Sequence, residues 1–167
     1  MIINYIFSFL LLILSGVIQS HPSFNYLEIS GIKPDLQFVL IIFLAYQYGP
    51  LWGELTGFAG GLIQDSLSTS LLGLFAFPKM FLGLLVGLSK RLVLADNVIV
   101  FSFLVLLASF LKGIVIFFLT VIFQSSPASL IFFPKIIFPE ALYNALLAPL
   151  LYLVFKKIFK LKLEEDE

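Results

Sequence analysis

The sequence has no cysteine and a single histidine, His21. The first absence excludes disulfides, thiolate nucleophiles and sulfur-ligated metals. With only one imidazole to add, transition-metal sites and Cys/His nucleophilic pairs are excluded too. His21 sits in a polar connection and reads as an interfacial residue rather than a ligand or base. Charge is scarce: only 12% of the 167 residues are Asp, Glu, Lys or Arg, about half the share of a water-soluble domain. No Gly-x-Ser-x-Gly elbow is present, and Gly57-Phe-Ala-Gly60-Gly61 lacks the Lys-Ser/Thr that completes a phosphate loop. Asp35 and Asp65 do not read as an aspartyl dyad, because one opens a helix and the other has lysine within reach. Basic residues form no patch beyond a lysine tail, so nucleic acid is not an expected partner. Nothing here points to an enzyme, a metal or a cofactor.

What remains is apolar. Hydrophobic residues make up 60% of the chain, with 20 phenylalanines, and mean hydropathy is +1.10. Apolar runs of spanning length recur along nearly the whole sequence, so the fold class is all-α, a polytopic membrane protein. Residues 1–163 form one transmembrane domain and 164–167 an acidic cytoplasmic tail. The first run, 2–18, has no basic residue before it and reads as a retained helix rather than a cleaved signal. Residues 20–33 are a polar connection. Pro34 and Asp35 open a second helix, proline suiting the first turn and the carboxylate the positive end of the helix dipole. It ends at Gly49-Pro50. A third helix covers 51–67, a fourth follows Gly73 and ends near Lys90-Arg91, and a fifth covers 98–123. The prolines between 124 and 138 predict a bent interfacial loop. A sixth helix then starts at Pro139 and Glu140, with Pro149 as a kink.

Six of the ten Lys and Arg are Lys90, Arg91, Lys156, Lys157, Lys160 and Lys162. Six spans with both termini in the cytoplasm place all six on the inner face, as the charge bias of membrane proteins requires.

The chain is organised around the third helix. Gly53, Gly57, Gly61 and Asp65 recur every fourth residue and form one stripe of small residues, which lets helix backbones approach closely in a bilayer. The fourth helix repeats the device with Lys79, Gly83, Gly87 and Arg91, so the two are expected to pack. The third helix then delivers Gln64 and Asp65 to a protein-lined site near the outer leaflet. Lys79, Lys112 and Asn144 are expected to join them in a polar core, Asp65 being the obvious counter-charge for a buried lysine. The plainer alternatives are a solvated cap for Asp65, a helix cap for Asp35 and snorkelling to the interface for either lysine.

An ordered set of segments carries a resemblance: Lys33-Pro34-Asp35, Gly57-Phe58, Gly61-Leu-Ile-Gln64-Asp65, Leu72-Gly73, the Gly83-x-x-x-Gly87 pair and Asn144-Ala-Leu-Leu-Ala-Pro149. In order and spacing the chain resembles the MreD family, the polytopic rod shape-determining proteins of bacteria. It departs from that pattern at Ser68-Thr-Ser-Leu, where the family usually has a Gly- or Pro-containing turn, and at Leu84, where an aromatic is common. The resemblance implies a non-enzymatic scaffold of the cell-elongation, peptidoglycan-synthesising complex in the bacterial inner membrane. Its partners would be MreC, the actin-like MreB, the glycosyltransferase RodA and a class B penicillin-binding protein, besides the lipid bilayer. The family's six-helix arrangement is similar to that of substrate-binding subunits of energy-coupling-factor transporters. That likeness supplies the alternative function, small-molecule binding or transport through an outer-facing cavity.

Overall fold

The computed structural model describes residues 2–68, 70–90, 97–124 and 129–164, with side chains described within 6–123 and 135–159. Arg91, residues 125–128 and 165–167, and the side chains of Lys160 and Lys162 lie outside the described residues. Six α-helices account for most of the chain: α1 (Ile2–Ser20), α2 (Leu36–Tyr48), α3 (Pro50–Leu67), α4 (Ala76–Ser89), α5 (Val98–Gln124) and α6 (Ser129–Glu164). A short 3-10 turn, Pro22–Leu27, follows α1, capped by the His21 ring, which accepts the Ser23 N–H at 3.2 Å.

The helix α2 is the axis of the bundle. Every residue from Gln37 to Tyr46 is buried, as expected for a helix that is apolar all round and so has no face to give to solvent. At 13 residues it is about 20 Å long, less than the roughly 30 Å of a bilayer's hydrocarbon core. Helices α3 and α4 pack on each other and on α2, α5 and α6 do the same, and α1 contacts α2 and α3. Of the described helices, α5 and α6 are long and apolar enough to cross a membrane, over 26 and 25 residues.

The α3–α4 seam is made of glycine. A Cβ on Gly53 would lie 2.1 Å from the Gly83 carbonyl oxygen, and one on Gly57 would lie 2.3 Å from the Lys79 carbonyl oxygen. One on Gly61 would meet the Ala76 Cα at 2.2 Å, and one on Gly87 the Pro50 Cα at 2.4 Å. The pairing runs antiparallel, backbone on backbone, with no room for any side chain.

The expectation for 124–138 is corrected. Helix α6 already begins at Ser129 and runs unbroken through Pro134 and Pro139, so 129–138 is not a loop. Pro139 and Glu140 therefore do not start a helix; they lie in the interior of α6. A proline in a helix removes one backbone hydrogen bond, a loss that membrane helices tolerate where neighbouring helices satisfy the freed carbonyl. Here α5 packs close: a Cβ on Gly113 would sit 2.4 Å from the Ile137 side chain. Lys79 lies within the first turn of α4, because the helix starts at Ala76.

Candidate functional site

Four helices converge on Asp35. As the N-cap of α2, Asp35 accepts the Phe38 N–H through Oδ1 at 2.9 Å, the ordinary role of a capping acid. The same carboxylate also holds two lysines. Lys79, from α4, reaches it at 3.2 Å, and Lys112, from α5, at 2.7 Å. Lys79 is fully buried and Lys112 nearly so. Lys112 continues the chain to Glu140 of α6 at 2.7 Å, and its ammonium lies over the Phe38 ring, 4.8 Å from the centroid. Lys79 donates a further hydrogen bond to Gln37 Oε1 at 2.9 Å. Gln37 in turn donates to the Leu12 carbonyl of α1 at 3.1 Å.

Asn144 completes the arrangement from α6. Its Oδ1 accepts the Asp35 backbone N–H at 2.8 Å, and its Nδ2 donates to Ser109 Oγ of α5 at 3.1 Å. Two acids and two lysines thus alternate as Lys79, Asp35, Lys112, Glu140, a neutral set in which each lysine has a carboxylate partner. Such pairing is what permits ionised groups at this burial, since an isolated buried ion is prohibitively costly.

Asp65 is elsewhere. It is buried, but its oxygens accept the backbone N–H groups of Gly73, Phe75 and Ala76 at 2.8, 2.9 and 3.2 Å. The expectation that Asp65 is counter-charge to Lys79 or Lys112 is corrected: its lone pairs are taken by the α3–α4 turn, and Asp35 takes both lysines. That turn needs an acceptor because the first N–H groups of α4 have no partner within the helix, and Phe75, at its N-cap, has no capping side chain. Gln64 faces away from the turn. It lines a cavity of about 240 Å³ with Lys33, Asp35, Lys112 and Glu140, and also a smaller adjoining one of about 170 Å³ with Gly16, Gln19 and Gln37. Its buried Oε1 has no hydrogen-bond partner among the described residues.

Of the polar residues singled out from sequence, Lys79, Lys112 and Asn144 meet at one point, Gln64 borders it, and Asp65 does not belong to it. Asp35 and Glu140, read as helix starts, are its two acids. Pro34 borders the same cavity. Gln37 and Ser109 had no signal of their own. For the acids, charge balance was the available signal, since two buried lysines need two carboxylates.

Comparison with protein families decides what kind of molecule this is. A family model described as rod shape-determining protein MreD matches residues 1–162. The chain belongs to the MreD family. Neither the curated proteins nor the solved structures return a match. As an MreD-family protein the chain is a membrane protein that acts in rod-shape determination, and the family is a structural, shape-determining one rather than a known enzyme family. In the Asp35 network each carboxylate already faces an ammonium.

Proposed function

We propose that this MreD-family chain is a non-enzymatic scaffold of the elongation machinery. It crosses the inner membrane six times, keeps both termini in the cytoplasm and binds an MreC-like single-pass protein through its apolar exterior. Through that partner it would join MreB, RodA and a class B penicillin-binding protein. The observation that carries the reading is the contrast between interior and surface. The buried charges are committed to one another, while the outside presents large apolar side chains such as Phe103, Leu107, Phe110 and Leu111 on α5. Such a body offers neighbours packing area and little else, and that suits partner helices and lipid. The short α2 and α4 fit six spans if water reaches the Asp35 end through the cavity beside Gln64, so that neither helix needs to cover the full hydrocarbon thickness.

The test is co-purification from native membranes. A single-pass partner should come down with the chain, and combined leucine-to-alanine changes on the α5 face should release it while leaving the Asp35 network folded. Recovery of folded chain without such a partner counts against the scaffold. A carboxyl-terminal reporter active outside the cytoplasm would overturn the topology.

The cavity supports the second reading, small-molecule binding of the kind performed by energy-coupling-factor substrate subunits. At about 240 Å³ it falls below the roughly 300–1,000 Å³ of drug-sized ligand pockets, and its charges are already paired, Asp35 and Glu140 with Lys112 and Lys33 with Glu28. Size favours the scaffold. Gln64→Leu, which replaces a polar lining group of both cavities with an apolar one, should leave rod shape intact under the scaffold reading and abolish it under the other.

A further inference from the structure

One face of α6 leaves the bundle and meets the loop that follows α1. In that loop Ile29 and Ile32 exchange backbone hydrogen bonds of 3.0 Å in both directions. With Pro139, Leu142 and Leu146 they wall a groove of about 520 Å³. The α6 residues, together with Lys135 one turn before them, fall on a single stripe at helical spacing. The opposite wall is tethered, because the Tyr143 hydroxyl donates to the Leu27 carbonyl at 3.0 Å. No described element covers the groove: Leu146 is 77% exposed and Ile29 62%.

Charge distinguishes this groove from the rest of the apolar exterior. Lys135 lies at one end, exposed, and makes no ion pair among the described residues. The charges of the nearby loop cancel, Lys33 pairing with Glu28 at 3.4 Å. One positive charge is thus left at the mouth of an apolar channel. From Lys135 to Leu146 the helix rises about 16 Å, close to the roughly 15 Å depth of one leaflet's hydrocarbon.

We propose that this groove holds an anionic diacyl phospholipid, its phosphate at Lys135 and one acyl chain along Leu142 and Leu146. A zwitterionic phospholipid offers the same chain but carries a cation beside its phosphate, and so gains less from an uncompensated lysine. A partner helix would bury Lys135 at a cost unless it brought a carboxylate to it. The proposal rests on the chain being embedded in a membrane with the Lys135 end at the headgroups; it does not depend on MreC binding.

Fluorescence quenching tests it in the full chain. Trp52 is the only tryptophan, so Trp52→Phe gives a dark background. Leu146→Trp then reports from the groove, and Phe103→Trp reports from a lipid-exposed site on α5. The chain is reconstituted in phosphatidylcholine vesicles, with either phosphatidylglycerol or phosphatidylcholine brominated on its acyl chains as guest lipid. At Leu146→Trp the brominated phosphatidylglycerol should quench at about fivefold lower mole fraction than the brominated phosphatidylcholine, roughly the worth of one lysine at an anionic surface. Phe103→Trp should show no preference. Lys135→Gln, a change at an exposed site that leaves the bundle packing untouched, should erase the preference, and Lys135→Arg should keep it. Equal quenching by the two lipids at Leu146→Trp, or a preference that survives Lys135→Gln, overturns the proposal. An unchanged yield of the single-pass partner in Lys135→Gln separates this result from any failure of the scaffold reading.

Discussion

The two ends of α2 are held in opposite ways. At its amino end Asp35 gathers Lys79, Lys112 and, through Lys112, Glu140. About 12 Å further along the same helix, Phe43 is surrounded by rings: Phe101 at 6.1 Å, Tyr152 at 5.8 Å, Phe155 at 5.4 Å and Phe159 at 5.7 Å between centroids. Phe101 and Tyr152 also pack on each other at 5.0 Å. The ionic end is specific and brittle, because each charge is tolerable only while its partner stands. The aromatic end is redundant, because a ring that loses one neighbour keeps three. In a membrane, where apolar burial gives helices little reason to associate, the ionic end sets which helices meet, and the aromatic end fills the space they enclose.

The largest effect expected from breaking this contrast is at the ionic end. Asp35→Ala strands Lys79, leaves Lys112 to Glu140 alone, and should destabilise the protein by about 3–5 kcal/mol, the cost of unpairing a buried ion. Unfolding in mixed detergent micelles measures it. Adding Lys79→Met to Asp35→Ala should recover part of that loss, since the second change removes a stranded charge; no recovery would mean that Lys79 reaches water by another route. Next comes the seam that brings Lys79 into place. Gly57→Leu must displace the α4 backbone at Lys79, and should cost about 3 kcal/mol and lower the protein level in membranes. Unaltered stability would place that stripe against lipid instead.

Phe43→Ala should cost less, about 2.4 kcal/mol, because lipid is as apolar as the core and only the cavity counts, at about 24 cal/mol per Å³ on roughly 100 Å³. Phe43→Leu should be milder still. A loss as large as that of Asp35→Ala would remove the distinction between the two ends. The smallest effect is a coupling near zero. Asp65→Ala weakens the α3–α4 turn by freeing three backbone donors, yet its cycles with Lys79→Met and with Lys112→Met should be additive to within about 0.5 kcal/mol. Coupling well above that would return Asp65 to the network.

Helix positions were legible because hydrophobic runs and stop signals such as Gly49-Pro50 are local. Where the local rule was strongest it also misled: the prolines at 134 and 139 read as helix breakers, whereas α6 runs through them with α5 packed alongside. The glycine spacing was equally local, a property of one helix face. By contrast, Asp35 and Asp65 carry the same side chain, and each stands at a helix end; nothing in the residues around them says which will meet a lysine.

By itself, then, the sequence determined the all-helical, membrane-embedded class, the places where small residues line one face of α3 and α4, and the need of a buried lysine for carboxylate partners. It determined these because composition and periodicity act within a single segment. Only the tertiary structure decided that Asp35 and Glu140, 105 residues apart in the chain, supply those carboxylates, while Asp65 turns its oxygens to the α4 backbone. The physical reason is geometric. Hydrogen bonds and ion pairs are won within about 3 Å, and which groups come that close depends on how α2, α4, α5 and α6 cross, a relation between segments that no segment carries alone.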